Sequence, residues 1–311
     1  MRKKRIRRRR AFALALLPAT MISMGWGQSS PAADERRATV DAPASVRIGD
    51  GIRIKGEFPD ASHAEVAILH RKAGENSYKR VDSTRTGAGG RWSERVRPRS
   101  TGDWRARLAT TPAPDTLASQ STVDSESDSE RIRVRSKTKV KPADRDVVAG
   151  REVEIRGRVR PAGQRDVVIE IDGDTKRTRA NRRGRFEVDY RPSSAGSYRV
   201  RAEAKRNREA GGSKDSGGKI TAYRYAQASW YGPGLYGNRT ACGQTLTSTT
   251  RGVAHKSLPC GTRLSIRNGS REVHVRVIDR GPYVGDREFD LTEATKNDLG
   301  FGSTGRILVS K

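Results

Sequence analysis

The sequence predicts a mainly β protein: two β-sandwich repeats followed by a small β-barrel that carries one short helix. Three observations predict it. Hydrophobic residues make up 33% and aromatics 5% of the 311 residues. That is too little for one large apolar core, but enough for small sheets, in which only every second residue turns inward. The middle of the chain repeats itself at a fixed offset, and from Ala228 onward its texture changes to short apolar runs between glycine-rich turns. No second long apolar run follows the N-terminal one, which excludes a polytopic membrane protein.

The N-terminus reads as an address. Residues 1–10 hold eight basic residues and no acid. Ala11 to about Gly27 is a short apolar stretch broken by Pro18, and small residues follow at Ser30-Pro31-Ala32-Ala33. This is the layout of a signal peptide over 1–33, cleaved near Ala32 or Ala33. An uncleaved anchor is the competing reading, disfavoured by Pro18 and the lack of a strong apolar tail. Arg9-Arg10-Ala11-Phe12 also fits a twin-arginine signal, although a run of four arginines makes that match unspecific. No cysteine lies near the cleavage site, so a secreted or wall-associated protein is expected, not a lipoprotein.

Next comes the repeat. Gly90-Arg91-Trp92, Arg97-Pro98 and Gly102-Asp103-Trp104 recur 94 residues later as Gly184-Arg185-Phe186, Arg191-Pro192 and Gly196-Ser197-Tyr198. Upstream, Ile52-Arg-Ile-Lys-Gly56 matches Val153-Glu-Ile-Arg-Gly157 at a slightly larger offset. Short alternating strands between Gly, Pro and Asp turns suggest β-sandwiches, here over 34–138 and 139–225. They resemble bacterial immunoglobulin-like domains, and with no catalytic constellation they are assigned spacing or adhesion. Thr110–Glu130 reads as a long loop before a last strand. Glu209–Gly218 reads either as the same kind of loop or as a flexible interdomain linker.

The net charge of +27 is diffuse: residues 11–225 carry +14 and residues 226–311 carry +5. Nucleic-acid binders concentrate such charge on one helix or stripe, so no nucleic acid is expected. The excess fits a solvated basic surface or attraction to anionic cell-wall polymers.

The last segment begins with Ser229-Trp230-Tyr231-Gly232. Thr240-Ala-Cys-Gly243 and Ala254-His-Lys-Ser-Leu-Pro-Cys-Gly-Thr262 follow. Asn268-Gly269 signals a hairpin between Arg263–Arg267 and Glu272–Ile278. Asp279-Arg280-Gly-Pro and Arg287-Glu-Phe-Asp-Leu-Thr292 lead into a short helix near Glu293–Leu299, and a strand from Gly305 closes the chain. Cys242 and Cys260 are the only cysteines; in an exported protein the pair suggests a disulfide, worth roughly 3 kcal/mol for a loop of this size.

These ordered motifs, from Ser229 to Val309, resemble the rare lipoprotein A-like double-psi β-barrel, a family related to expansins and barwin-like domains. The resemblance implies a septal lytic transglycosylase, which cuts peptidoglycan glycan strands without water and leaves an anhydro ring. Breaking a glycosidic bond needs a proton for the leaving oxygen. The family's acid falls on Asp279, at the end of an apolar strand, where partial burial favours the protonated form an acid catalyst needs. His255 would orient substrate or adjust that acid, and Asp290 would assist it or cap the helix. Trp230 and Tyr231 would offer a sugar-stacking face, and Gln244 and Arg280 would bind substrate with them. No metal or other cofactor is expected. The partners expected are glycan strands, with division or wall-synthesis proteins as candidates. Active relatives commonly carry Glu and Asp where this chain has Gln244 and Thr247. That departure keeps a second reading open: a glycan-binding module that does not cut.

Overall fold

The computed structural model describes residues 37–109 and 126–311. The expected signal peptide and most of the Thr110–Glu130 stretch lie outside the described residues. The described chain is mainly β, with one short helix.

Eight strands come first: β1 (Thr39–Asp41), β2 (Ser45–Arg47), β3 (Ile52–Glu57), β4 (Glu65–Lys72), β5 (Lys79–Arg85), β6 (Arg91–Val96), β7 (Gly102–Leu108) and β8 (Glu130–Arg135). They form the sheets β1-β3-β6 and β2-β8-β7-β4-β5, which share a core that includes Ile54, Trp92, Ile68, Trp104 and Ile132. Eight more follow: β9 (Lys137–Pro142), β10 (Asp146–Val148), β11 (Val153–Arg160), β12 (Arg165–Ile171), β13 (Asp174–Ala180), β14 (Arg185–Tyr190), β15 (Gly196–Ala204) and β16 (Ser213–Tyr231). Their pairing gives β9-β11-β14 and β10-β16-β15-β12-β13, the same order as before.

The shared motifs have a steric reason. Gly56 pairs with Trp92 and Gly157 with Phe186. A Cβ on Gly56 would lie 2.8 Å from the Trp92 ring, and one on Gly157 would lie 2.0 Å from the Phe186 ring. Only glycine leaves room for the aromatic side chain lying across it.

β16 is 19 residues long and crosses from one assembly into the next. Its first half pairs with β15, and Arg224–Ala228 then pairs with the last strand of the chain. The position between residues 225 and 226, the expected domain boundary, falls inside this strand. Nor is Glu209–Gly218 a linker. Thr101 N donates to Glu209 O (2.6 Å), Gly211 N donates to Val134 O (2.9 Å), and Ala210 is buried in the first core. The strand itself begins at Ser213, inside that stretch, where backbone pairing rather than apolar side chains holds its start.

The remaining elements are β17 (Val253–His255), β18 (Arg263–Asn268), β19 (Arg271–Asp279), β20 (Phe289–Thr292), α1 (Glu293–Leu299) and β21 (Gly305–Ser310). They close around a core containing Val253, Ile266, Val277, Phe289, Leu291 and Ile307. The hairpin turn is Gly269-Ser270, one residue later than expected, with Gly269 at φ +60°. Thr292, not Asp290, caps α1: its Oγ1 accepts from Thr295 N. Gly300 ends the helix in the left-handed conformation.

Candidate functional site

Strand register builds the site. Asp279 and Asp290 both align with Ala254, from opposite sides, and Asp290 aligns in turn with Ser229. Residues level across a sheet share a face. Two carboxyls therefore flank a small side chain in one row over β19, β17, β20 and β16.

Asp279 is held by its backbone surroundings. Its Oδ1 accepts from Ala241 N (2.8 Å) and Arg280 N (2.9 Å). Its Oδ2 has no hydrogen-bond partner among the described residues. The Arg280 guanidinium does not take it: Nη1 donates to Leu258 O at 3.0 Å, with the carbonyls of His255 and Asp279 at 3.5 and 3.4 Å. Arg280 thus braces the segment after β17 and leaves the carboxylate beside it open.

Asp290 is half-buried. Burial pushes its pKa up, and the charge of Asp279 adds to that; Ser229 Oγ, which donates to Oδ1 at 2.7 Å, and Arg287 pull the other way. The Tyr231 hydroxyl is buried without a partner in bonding geometry. Its pKa lies above the ordinary phenol range, first from burial and then from Asp279 and Asp290. It is a neutral donor near both carboxyls. Trp230, one residue earlier, packs instead against the barrel core, with Lys296 Nζ 4.4 Å from its ring centroid.

His255 alternates to the other side of β17 from Ala254. Its ring lies 4.9 Å from that of Phe289. Nδ1 accepts from Ser257 N (3.1 Å) and Leu258 N (2.9 Å), which leaves Nε2 to donate to Glu288 Oε1 at 3.4 Å. Glu288 is also paired with Arg224, whose hydrogen bonds hold its carboxyl below the usual range. The imidazole therefore faces Glu288, not Asp279, and fixes the turn that supplies carbonyls to Arg280.

The Thr240–Gln244 loop lies against the end of β19. A disulfide joins Cys242 to Cys260, with Cα atoms 5.7 Å apart, and Cys242 N donates to Ile278 O. Both bonds hold the Ala241 N–H against Asp279. Gln244 is exposed; its backbone closes the loop with Thr240, and its side chain has no hydrogen bond among the described residues.

Sequence reading missed Glu288, Ser229 and the Ala241 amide. All three lie within or beside quoted motifs, but only the register between strands makes them partners of His255, Asp290 and Asp279.

Residues 224–310 match the family described as "Lytic transglycolase". The probable endolytic peptidoglycan transglycosylase RlpA of Synechocystis sp. is 39% identical over 93 residues, which is 29% of this chain and 29% of that protein. RlpA of Campylobacter jejuni is 41% identical over 80 residues, 25% of this chain and 29% of that protein. RlpA of Pseudomonas aeruginosa is 41% identical over 91 residues, 28% and 27%. The chain thus spans less than a third of the length of these relatives. Its C-terminal segment, residues 224–310, is an RlpA-like double-psi β-barrel.

Proposed function

We propose that the protein is exported and that its barrel cleaves peptidoglycan glycan strands as a lytic transglycosylase, with Asp279 as general acid and then base. The observation that carries this reading is the half-satisfied Asp279 carboxyl: one oxygen is fixed by two backbone N–H groups, and the other has no hydrogen-bond partner among the described residues. Protonated, Asp279 gives its proton to the glycosidic oxygen as the bond to the anomeric carbon breaks. A hydroxyl of the same sugar then attacks that carbon and returns its proton to Asp279, so no water is consumed. Asp290, whose pKa burial raises, stands beside it, with the Tyr231 hydroxyl near both carboxyls. His255 and Arg280 act as positioning residues. The two N-terminal sheet pairs are read as immunoglobulin-like domains that serve spacing or adhesion.

The test is incubation of the protein with sacculi and mass spectrometry of the soluble fragments. Asp279→Asn should lower the release of anhydro-ended fragments by a factor on the order of a hundred to ten thousand, with an unchanged melting curve. Undiminished release by this variant would remove Asp279 from the chemistry.

A second reading, glycan binding without cleavage, is favoured by Gln244, an amide that cannot exchange a proton as the relatives' Glu can. If the acid is needed there, Gln244→Glu should raise release by about tenfold or more. Sedimentation with sacculi, without release by either form, would support the binding module.

A further inference from the structure

The structure carries a second charged feature, remote in sequence from the barrel chemistry and independent of it. Where β8 passes into β9, an open cleft of about 340 Å³ is lined by Arg47, Arg135, Lys137, Lys139 and Lys214 against one carboxylate, Asp215. Asp215 is already engaged by Lys139 Nζ (3.4 Å) and Val140 N (2.9 Å). Arg47, Arg135 and Lys137 have no ion pair among the described residues.

The cleft opens onto the outer face of β9-β11-β14. There, Lys137 faces Arg160, and Lys139, Arg158 and Arg185 form one row across all three strands; Arg156, opposite Lys141, also stands opposite Glu187 and is paired with Glu154. All seven bases are exposed. Like charges directly opposite one another destabilise a sheet, so a merely solvated face would gain from acids at some of these positions. Along β9 and β11 the bases recur at about 6.6 Å, every second residue.

We propose that this cleft and the face beyond it bind a linear phosphate-bearing polymer, laid along β9 with its phosphates over the basic rows. Arginine matches phosphate oxygens with two parallel N–H bonds. The large exposed apolar residues of the described chain lie elsewhere, so the face offers nothing to insert into a bilayer. It also presents no aromatic side chain on which bases would stack, and a broad pleated face fits neither groove of a duplex.

The test uses the whole chain and fluorescent long-chain polyphosphate, titrated at several salt concentrations. Arg47→Gln/Arg135→Gln/Lys137→Gln/Arg158→Gln should bind about tenfold more weakly or worse, with a shallower salt dependence. It should melt no lower than the parent, because like-charge rows have been relieved. Lys176→Gln/Arg177→Gln/Arg182→Gln/Arg183→Gln, which removes the same charge from exposed sites on and after β13, should stay within about twofold of the parent. Should the first variant misfold, the single changes Lys137→Glu and Arg158→Glu give the same reading. Equal loss in both sets, loss in neither, no binding by the parent, or tighter binding to duplex DNA or to phosphatidylglycerol vesicles would each overturn the proposal.

Discussion

At the scale of the residue, two aspartates on one face have different surroundings. Asp279 has one oxygen bound by backbone amides and one without a partner; Asp290 is half-buried behind it and bonded to Ser229. The raised pKa of Asp290 has a consequence for stability. The folded state holds a proton that the unfolded chain releases at the ordinary aspartate value, so this contribution is complete below that value. It is lost as pH rises through the folded value. Asn carries no charge at any pH and can still accept from Ser229. Asp290→Asn should therefore gain stability relative to the parent from acid to neutral pH, as read by chemical denaturation at each pH. A difference that is flat with pH would mean that Asp290 ionises as it does in water. The sequence made Asp279 legible because its motif is contiguous. It hid the pairing of Asp290 with Ser229 and of His255 with Glu288, because those contacts depend on which residues lie level across strands, and no single motif records that.

At the scale of the element, the disulfide and the end of β19 form one unit. Cys242 is bonded to Cys260 and, through its amide, to Ile278 O, and the neighbouring amide of Ala241 orients Asp279. Cys242→Ser/Cys260→Ser should lower barrel stability by about 3 kcal/mol. It should also reduce turnover at temperatures where the variant is still folded, because the Ala241 amide is no longer pinned. Full turnover in a destabilised variant would confine the disulfide to a stabilising role. Elements whose chemistry is local were readable: α1 spans the expected Glu293–Leu299, with Thr292 and Gly300 as its caps. Elements held by pairing alone were not. β5, β13 and the first residues of β16 are dominated by polar and charged side chains, so their sequence has no apolar alternation, and they exist because β4, β12 and β15 offer open edges.

At the scale of the whole molecule, β16 joins two cores without a hinge. Tyr223 on this strand donates to Glu272 Oε1 (2.7 Å), and Arg267 of the barrel pairs with Asp146 of β10 (3.2 Å). On the other side, Ala210 sits in the first core. Three assemblies are therefore tied in series. The central claim about that barrel is that a sugar hydroxyl, not water, completes the cleavage. The direct measurement is digestion of sacculi by the whole chain in heavy-oxygen water, followed by mass spectrometry of the new glycan ends. Fragments ending in an anhydro ring, one water lighter than a hydrolysis product and free of the heavy isotope, are predicted. Reducing ends that carry the heavy oxygen would contradict the account.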